Sequence, residues 1–320
     1  MTTALPFVTL GPWLRERFGR PVHRVALDAG STCPNRDGTK GFGGCTYCDI
    51  EGSGTGALKT GLDLEEQLAR GLARVARRAK PGGPAVGALA YLQSYSNTYV
   101  EDGRFSEVLD VLERQLDRAD DGLPPIVAIS VATRPDCLPD SALGALSALS
   151  RRVPVWVELG LESASDEVLL AINRLHTLAE FFDAVRRAKA RGLTTIGHAI
   201  LGLPGDGREG ARHTAQALAT AGLDGVKVHH LMVLARTQLA HQWRRGEVEP
   251  LDAPTYVTWL ADFVERLAPD QVLHRITGDA ADDALLAPRW TVHKNEVRRM
   301  LAEELTRRGT RQGSHAAAAR

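Results

Sequence analysis

Charge of one sign is missing from this sequence: Lys+Arg is 39 and Asp+Glu is 39, a formal net charge of +0 over 320 residues. A protein that coats nucleic acid by bulk charge is therefore disfavoured, although a local basic patch is allowed. Long apolar runs are missing too. No stretch of ~18 apolar residues exists, so no membrane-spanning helix is expected. The opening Met1-Thr2-Thr3-Ala4-Leu5-Pro6 lacks the basic segment and apolar run of a signal peptide, and a cytoplasmic location is expected. Cysteine is scarce, 4 in all, and three crowd into positions 33 to 48. A disulfide framework spreads its cysteines through a small secreted fold, so metal or cluster ligation fits better. No Ser/Gly/Pro-rich linker divides the chain, and no repeat of fixed period runs through it. What is present is globular: 43% hydrophobic, 24% charged, with 31 glycines for tight turns.

Apolar β-branched runs alternate with amphipathic segments. Strands are expected at 22–27, 86–93, 126–131, 153–159, 194–201, 225–230 and 271–276. Helices are expected at 64–79, 104–116, 141–149, 166–172, 178–191, 210–221 and 255–267. Strands alternating with helices of this length predict right-handed βαβ units and a parallel sheet. Six or seven units fit an α/β fold of the partial (β/α)6-type parallel barrel better than two domains. Residues 1–285 are expected to form the barrel, 286–312 a basic helical extension and 313–320 a disordered tail. Chemistry in this architecture sits at the C-terminal ends of the strands, and polar groups gather there after most of them.

The segment after the first strand runs Cys33-Pro-Asn-Arg-Asp-Gly-Thr-Lys-Gly-Phe-Gly-Gly-Cys45-Thr-Tyr-Cys48. The C-x-x-C pair places two thiolates about a turn apart. A Gly-rich loop brings the third over the same centre. Structural zinc takes four closed ligands, and no fourth Cys or His lies in this loop. Three thiolates without a nearby fourth ligand suggest a cluster with one open iron. A zinc site completed by a distant His or by Cys137 stays open as an alternative. A thioredoxin-like redox pair fits less well, because the usual helix-opening context is absent. Tyr47 either shields a cluster from water or belongs to the core.

A three-Cys loop at the end of the first strand of a βα barrel resembles radical S-adenosylmethionine (SAM) enzymes, and Cys45-Thr-Tyr-Cys48 matches their C-x-aromatic-C signature. The wide spacing to Cys33 resembles the branch related to the Elongator catalytic subunit, and within it the YhcC family. The resemblance is carried by Cys33-Pro-Asn-Arg-Asp-Gly-Thr, Gln93-Ser-Tyr-Ser-Asn-Thr-Tyr99, Thr133-Arg-Pro-Asp-Cys137, Glu158-Leu-Gly-Leu-Glu-Ser163, Asn173-Arg-Leu-His-Thr177 and His198-Ala-Ile-Leu-Gly-Leu-Pro-Gly205. It continues through Lys227-Val-His-His230 and His274-Arg-Ile-Thr-Gly-Asp279.

The resemblance implies a [4Fe–4S] cluster on Cys33, Cys45 and Cys48, with SAM on the open iron. One electron cleaves the sulfonium to give a 5′-deoxyadenosyl radical, which removes a hydrogen atom from the substrate. Cluster potentials span roughly −700 to +450 mV, and this chemistry needs the low end. For SAM, the resemblance implies Ser94 and Asn97 at the amino group, Glu162 and Ser163 at the ribose and Arg174 at the carboxylate. Ile200 and Gly202, in the run to Gly205, are implied at adenine. It implies a flavodoxin- or ferredoxin-like electron donor and transfer RNA as partner, with the wobble uridine as target.

Other residues carry less. Arg134 and Asp136 form a structural ion pair or face the substrate. Cys137 reads as a buried core thiol, and His198 as a satisfied core histidine. Of His229 and His230, only one can face the barrel interior. From Arg289 to Gly313, seven Lys/Arg (289, 294, 298, 299, 307, 308, 311) face three Glu (296, 303, 304), beside Trp290. That composition suits a folded RNA, or equally a solvated amphipathic helix over 297–305. Trp290-Thr-Val-His-Lys294-Asn departs from the family's usual Trp-x-x-x-Lys-Trp at its last position. Two other functions remain open: radical SAM chemistry on a small metabolite or peptide, and a non-enzymatic zinc-stabilised RNA-binding module.

Overall fold

Apolar runs of four to eight residues become the strands of one parallel sheet in the computed structural model, which describes residues 5–49, 61–100, 103–118, 122–280, 283–290 and 292–316. In chain order the elements are α1 (Leu10–Phe18), β1 (Val22–Leu27), α2 (Leu64–Ala76), β2 (Gly87–Leu92), α3 (Arg104–Asp117), β3 (Ile126–Thr133), α4 (Asp140–Leu149), β4 (Val155–Glu162), α5 (Asp166–Ala171) and α6 (Leu178–Lys189). There follow β5 (Thr194–Leu201), α7 (Gly207–Thr220), β6 (Gly225–His230), β7 (Val233–Leu234), α8 (Gln238–Arg244), α9 (Ala253–Arg266), β8 (Val272–Arg275), β9 (Leu285–Ala287) and α10 (Lys294–Arg308).

The sheet order is β1-β2-β3-β4-β5-β6-β8, and every neighbouring pair is parallel. It curls into a half-barrel whose free ends are β1 and β8. Both faces are covered, so the middle strands read as continuous buried runs, as in β2 and β4. Leu72, Leu112 and Leu143 are 0% exposed beneath the helices, each worth about 1.5–3 kcal/mol by area. Helix starts are written in the sequence: Asp63 with Glu66, and Thr177 with Glu180, form reciprocal capping boxes on α2 and α6.

Three regions differ from expectation. Helix α1 carries Gly11 and Pro12, residues that read as breakers, yet proline in a first turn forfeits no helical bond. It closes the lower mouth of the barrel: Trp13 packs edge-on against Trp156 at 6.0 Å, above Leu14, Leu89, Ala128 and Ile196. The antiparallel pair β7–β9 and helix α8 are too short to give a periodic signal. Strand β4 runs on to Glu162 rather than stopping at 159, through a register shift between Gly160 and Glu162.

The C-terminal segment folds against the barrel. Val297, Leu301 and Leu305 are buried on α9, one helical turn apart. Three of its seven basic side chains are matched by acids. Arg308 pairs with Asp262 at 2.8 Å, Glu265 at 3.2 Å and Glu304 at 2.8 Å; Arg299 pairs with Glu296 and Glu303, and Arg307 with Glu304. Trp290 turns inward, stacking on His230 at 4.1 Å and donating to the Leu251 carbonyl at 3.0 Å. Of the tail expected at 313–320, residues 313–316 are tied down: Gly313 and His315 donate to the Val264 and Glu265 carbonyls at 3.3 and 2.6 Å. Residues 317–320 lie outside the described residues.

Candidate active site

The loop after β1 is folded by its own backbone. The Cys33 carbonyl accepts from the N–H of Arg36 at 2.8 Å, and the Asn35 carbonyl from Gly44 at 2.8 Å. Asn35 Nδ2 crosses to the carbonyls of Asn173 (2.5 Å) and Arg174 (3.0 Å). Gly44 sits at φ +79°, and a Cβ there would come within 3.0 Å of the Arg36 guanidinium. These constraints bring Cys33, Cys45 and Cys48 to the wall of one cavity of about 250 Å³ at the C-terminal ends of the strands.

Cations address the sulfurs. Arg36 Nη2 donates to Cys48 Sγ at 3.3 Å, its guanidinium over the Tyr95 ring at 5.3 Å. Arg174 Nη1 reaches Cys45 Sγ at 3.9 Å, and its Nη2 donates to the Gly160 carbonyl at 2.9 Å, with Glu162 at 3.4 Å. Burial and the neighbouring Cys45 push the Cys48 thiol up to about 11, and Arg36 opposes them. Among the described residues no three His, Cys, Asp or Glu side chains gather about a single point as one metal ion requires. Cys137 is buried outside the cavity lining, its thiol pushed up to about 12 chiefly by burial. The donor set, three cysteine sulfurs with two guanidiniums beside them, fits an iron–sulfur cluster. Four buried atoms of lining residues without a partner, Ser94 Oγ, Ser96 Oγ, Arg134 Nη1 and Arg174 Nε, fit a polar ligand beside it.

Backbone strain gathers at the same place. Ser94, Tyr95, Glu162, Asn173 and Leu175 all have φ between +52° and +90°, each at a cost of about 1–3 kcal/mol that only a functional constraint or tight packing sustains. The positive φ of Glu162 follows the bulge at the end of β4, and its carboxyl lines the cavity.

The residues singled out from sequence divide into two groups. Cys33, Cys45, Cys48, Ser94, Glu162, Arg174 and Ile200 line the cavity. Asn97, Ser163 and Gly202 lie behind its wall. Asn97 Nδ2 is spent on the carbonyls of Ala132 (2.8 Å) and Ser94 (3.3 Å), bracing the loop. Ser163 Oγ donates to Asp206 at 2.7 Å and accepts from Ser165 N–H at 3.1 Å. Gly202 faces Leu251, whose Cγ lies 3.2 Å from where a Cβ would stand. Arg134 and Asp136 are a two-pronged buried pair, 2.9 and 2.8 Å, with Lys40 also on Asp136 at 2.7 Å. Tyr47 lines the cavity and packs on the small cluster that includes Val168 and Leu169.

Sequence reading missed the inner wall. Glu158 on β4, 1% exposed, accepts from Ser130 Oγ at 2.6 Å, from His198 Nε2 at 2.9 Å and from Lys227 Nζ. Burial acts to raise its carboxyl, but Lys227 and His198 outweigh it and hold Glu158 well below the usual range. Because an ionised carboxylate only accepts, His198 donates through Nε2 and, when neutral, keeps Nδ1 as an acceptor. Burial pulls the Lys227 amine down to about 8 against the pull of Glu158. The available signal was a charge at alternating positions inside buried strands, Val-Trp-Val-Glu158 and Gly-Val-Lys227, which a core position rarely tolerates unpaired.

Residues 33–218 match the Radical SAM superfamily, and residues 223–307 match the Radical_SAM C-terminal domain. The chain belongs to the radical SAM superfamily. YtqA of Bacillus subtilis is 37% identical to this radical SAM chain over 95% of its length and 91% of that protein. YhcC of Escherichia coli is 34% identical over 87% of this chain and 85% of that protein. A tRNA uridine(34) acetyltransferase of Methanocaldococcus infernus is 29% identical over 39% of this chain and 23% of its own length. Among solved structures, archaeal Methanocaldococcus infernus Elp3 superposes with a TM-score of 0.65 at 19% identity, over 91% of this chain and 64% of that one; this likeness is one of fold. The superfamily's cofactors are a [4Fe–4S] cluster and SAM, and this radical SAM chain is an enzyme of that class. Among the described residues, no helix is long and apolar enough to cross a membrane.

Proposed function

We propose that this radical SAM enzyme modifies a uridine of transfer RNA at the wobble position, with Cys33, Cys45 and Cys48 as the cluster ligands. When bound, the cluster supplies the electron that cleaves SAM and so the 5′-deoxyadenosyl radical that takes hydrogen from the substrate. The chain's own residues bind, orient and exclude water. Arg36 and Arg174 place positive charge beside the thiolates. Arg174 also offers its unpartnered Nε toward an anionic carboxylate. Glu162 accepts from ribose hydroxyls, Ser94 Oγ meets the amino group, and Ile200 covers adenine. Tyr47 and Tyr95 border the sulfurs and keep water from them. The electron arrives from a flavodoxin- or ferredoxin-like donor.

The observation that carries the RNA target is the partial likeness to a tRNA uridine(34) acetyltransferase. The basic C-terminal helix adds little to it, because Arg299, Arg307 and Arg308 are answered by acids. That pairing, with a cavity of about 250 Å³, favours a second reading: the same chemistry on a small metabolite or peptide. Mass spectrometry of tRNA nucleosides from a strain lacking the protein separates the two. The tRNA reading expects one modified uridine to disappear. An unchanged nucleoside profile, with no salt-sensitive gel shift on bulk tRNA, leaves the small-molecule reading.

A further inference from the structure

The cavity has an end that the cofactor reading does not use. Its floor is built from Tyr91, Glu158, His198 and Lys227 on β2, β4, β5 and β6. Register sets His198 beside Lys227, and Lys227 beside Arg275 on β8. Lys227 is spent on Glu158. Two guanidiniums are not spent. Arg24 and Arg275 stand on β1 and β8, the two ends of the open sheet. Arg24 lies over the Tyr91 ring at 5.4 Å, and Arg275 lines the cavity. Among the described residues neither side chain has an ion pair or a hydrogen bond. Both flank Tyr91: Arg24 lies over its ring, and Arg275 is the register partner of Lys227, whose Nζ lies over the same ring at 4.2 Å; burial, then Arg24, pulls the Arg275 guanidinium down. Asp279, also on the cavity wall, is one carboxylate against two guanidiniums. Arg24 is exposed and stands outside the cavity lining, next to Tyr91, so the two charges meet where the cavity opens toward solvent, and an anion placed there gains from both.

We propose that the exposed Arg24 and the cavity-lining Arg275 form an anion subsite beside Tyr91, at the side of the cavity between β1 and β8. It takes carboxylate or phosphate oxygens of the substrate, while the Tyr91 ring and the His198 acceptor orient the group attached to them. The proposal rests on the reading that substrate enters this cavity, but not on that substrate being RNA. A guanidinium presents a planar fork of donors that matches either anion.

The test titrates the full-length, cluster-loaded enzyme with inorganic phosphate and, separately, with sodium acetate, followed by calorimetry under anaerobic conditions. At least one of the two is expected to bind saturably at one site per chain. Phosphate alone points to a nucleotide-type substrate and acetate alone to a carboxylate metabolite. Arg275→Gln and Arg24→Gln are each expected to weaken that anion tenfold or more, as loss of a charged hydrogen bond does, with SAM affinity unchanged. Arg24 is exposed, so its variant keeps the test valid if the Arg275 variant misfolds. Saturable binding of neither anion overturns the subsite. So does a folded variant that binds the anion as tightly as the parent, or one that loses SAM by the same factor. Anion binding that meets these expectations beside an unchanged tRNA nucleoside profile leaves the subsite standing and removes the RNA target.

Discussion

Arg36 reaches the Cys48 sulfur at 3.3 Å while its own backbone N–H is bonded to the Cys33 carbonyl at 2.8 Å. One residue thus ties the first cysteine of the loop to the last. A cation held against a thiolate stabilises the anion, and charge beside a cluster is one of the levers on its potential. Arg36→Gln is expected to lose its cluster to an iron chelator several-fold faster than the parent, with Arg36→Lys in between. The decay of visible absorbance measures it. Equal rates for all three proteins would show the contact to be idle.

Cys45 is buried, 6% exposed, yet it sits in the loop and not in a strand. Its removal takes a ligand from the site while leaving the parallel ladders and helix faces intact. Cys45→Ala is expected to lose brown colour and SAM cleavage, with iron falling from about four per chain, the content of a [4Fe–4S] cluster, to below one. Its helical circular-dichroism signal should match the parent. Loss of that signal together with the colour would contradict the separation of loop from barrel.

How much of this was legible follows from what each feature depends on. All seven strands of the sheet were marked in sequence because β-branched runs in a covered sheet are continuous and locally encoded. The three cysteines were legible because they cluster within one loop. The Glu158–Lys227 contact joins residues 69 positions apart, and no local pattern records such a partner. Asn97 and Ser163 were marked by the family resemblance; that Asn97 Nδ2 is bonded to backbone carbonyls and Ser163 Oγ to a buried acid is decided by tertiary packing, which no local pattern records. Arg299, Arg307 and Arg308 of α10 looked available because composition counts charges and not their neighbours.

Asp136 shows what one buried carboxylate contributes. Burial acts to raise its pKa, but Arg134 and Lys40 overcome this and hold it well below the ordinary value. A carboxyl depressed in the folded state binds fewer protons there than in the unfolded chain. Its stabilisation is therefore complete above the unfolded value of about 3.9 and is lost as pH falls below it. Asp136→Asn leaves Arg134, 1% exposed, without its charge partner and is expected to cost about 3–5 kcal/mol. Urea unfolding at pH 7 measures the cost. The gap between parent and variant should hold constant from pH 7 to 5; a gap that already narrows there would assign the effect to another group.

Gly160 is required by what lies over it. A Cβ on this residue would run into the Arg174 Nη2 and Glu162 Oε1 atoms that close the cavity wall, and Arg174 Nη2 is itself bonded to the Gly160 carbonyl at 2.9 Å. The methyl of Gly160→Ala has to displace one of these side chains, because the strand beneath is fixed by ladders to β3 and β5. Overpacking of this kind costs about 1–3 kcal/mol, which a chain of this size tolerates. The larger effect falls on the ligand. Whichever of Arg174 and Glu162 yields moves off the position proposed to meet SAM, so SAM affinity should drop at least tenfold, while iron content stays near that of the parent because the cysteine loop does not touch the new methyl. Equilibrium dialysis with SAM, beside iron analysis of the same preparation, reads both quantities. Loss of iron with SAM affinity retained would reverse the assignment of Arg174 from cofactor contact to support of the cysteine loop.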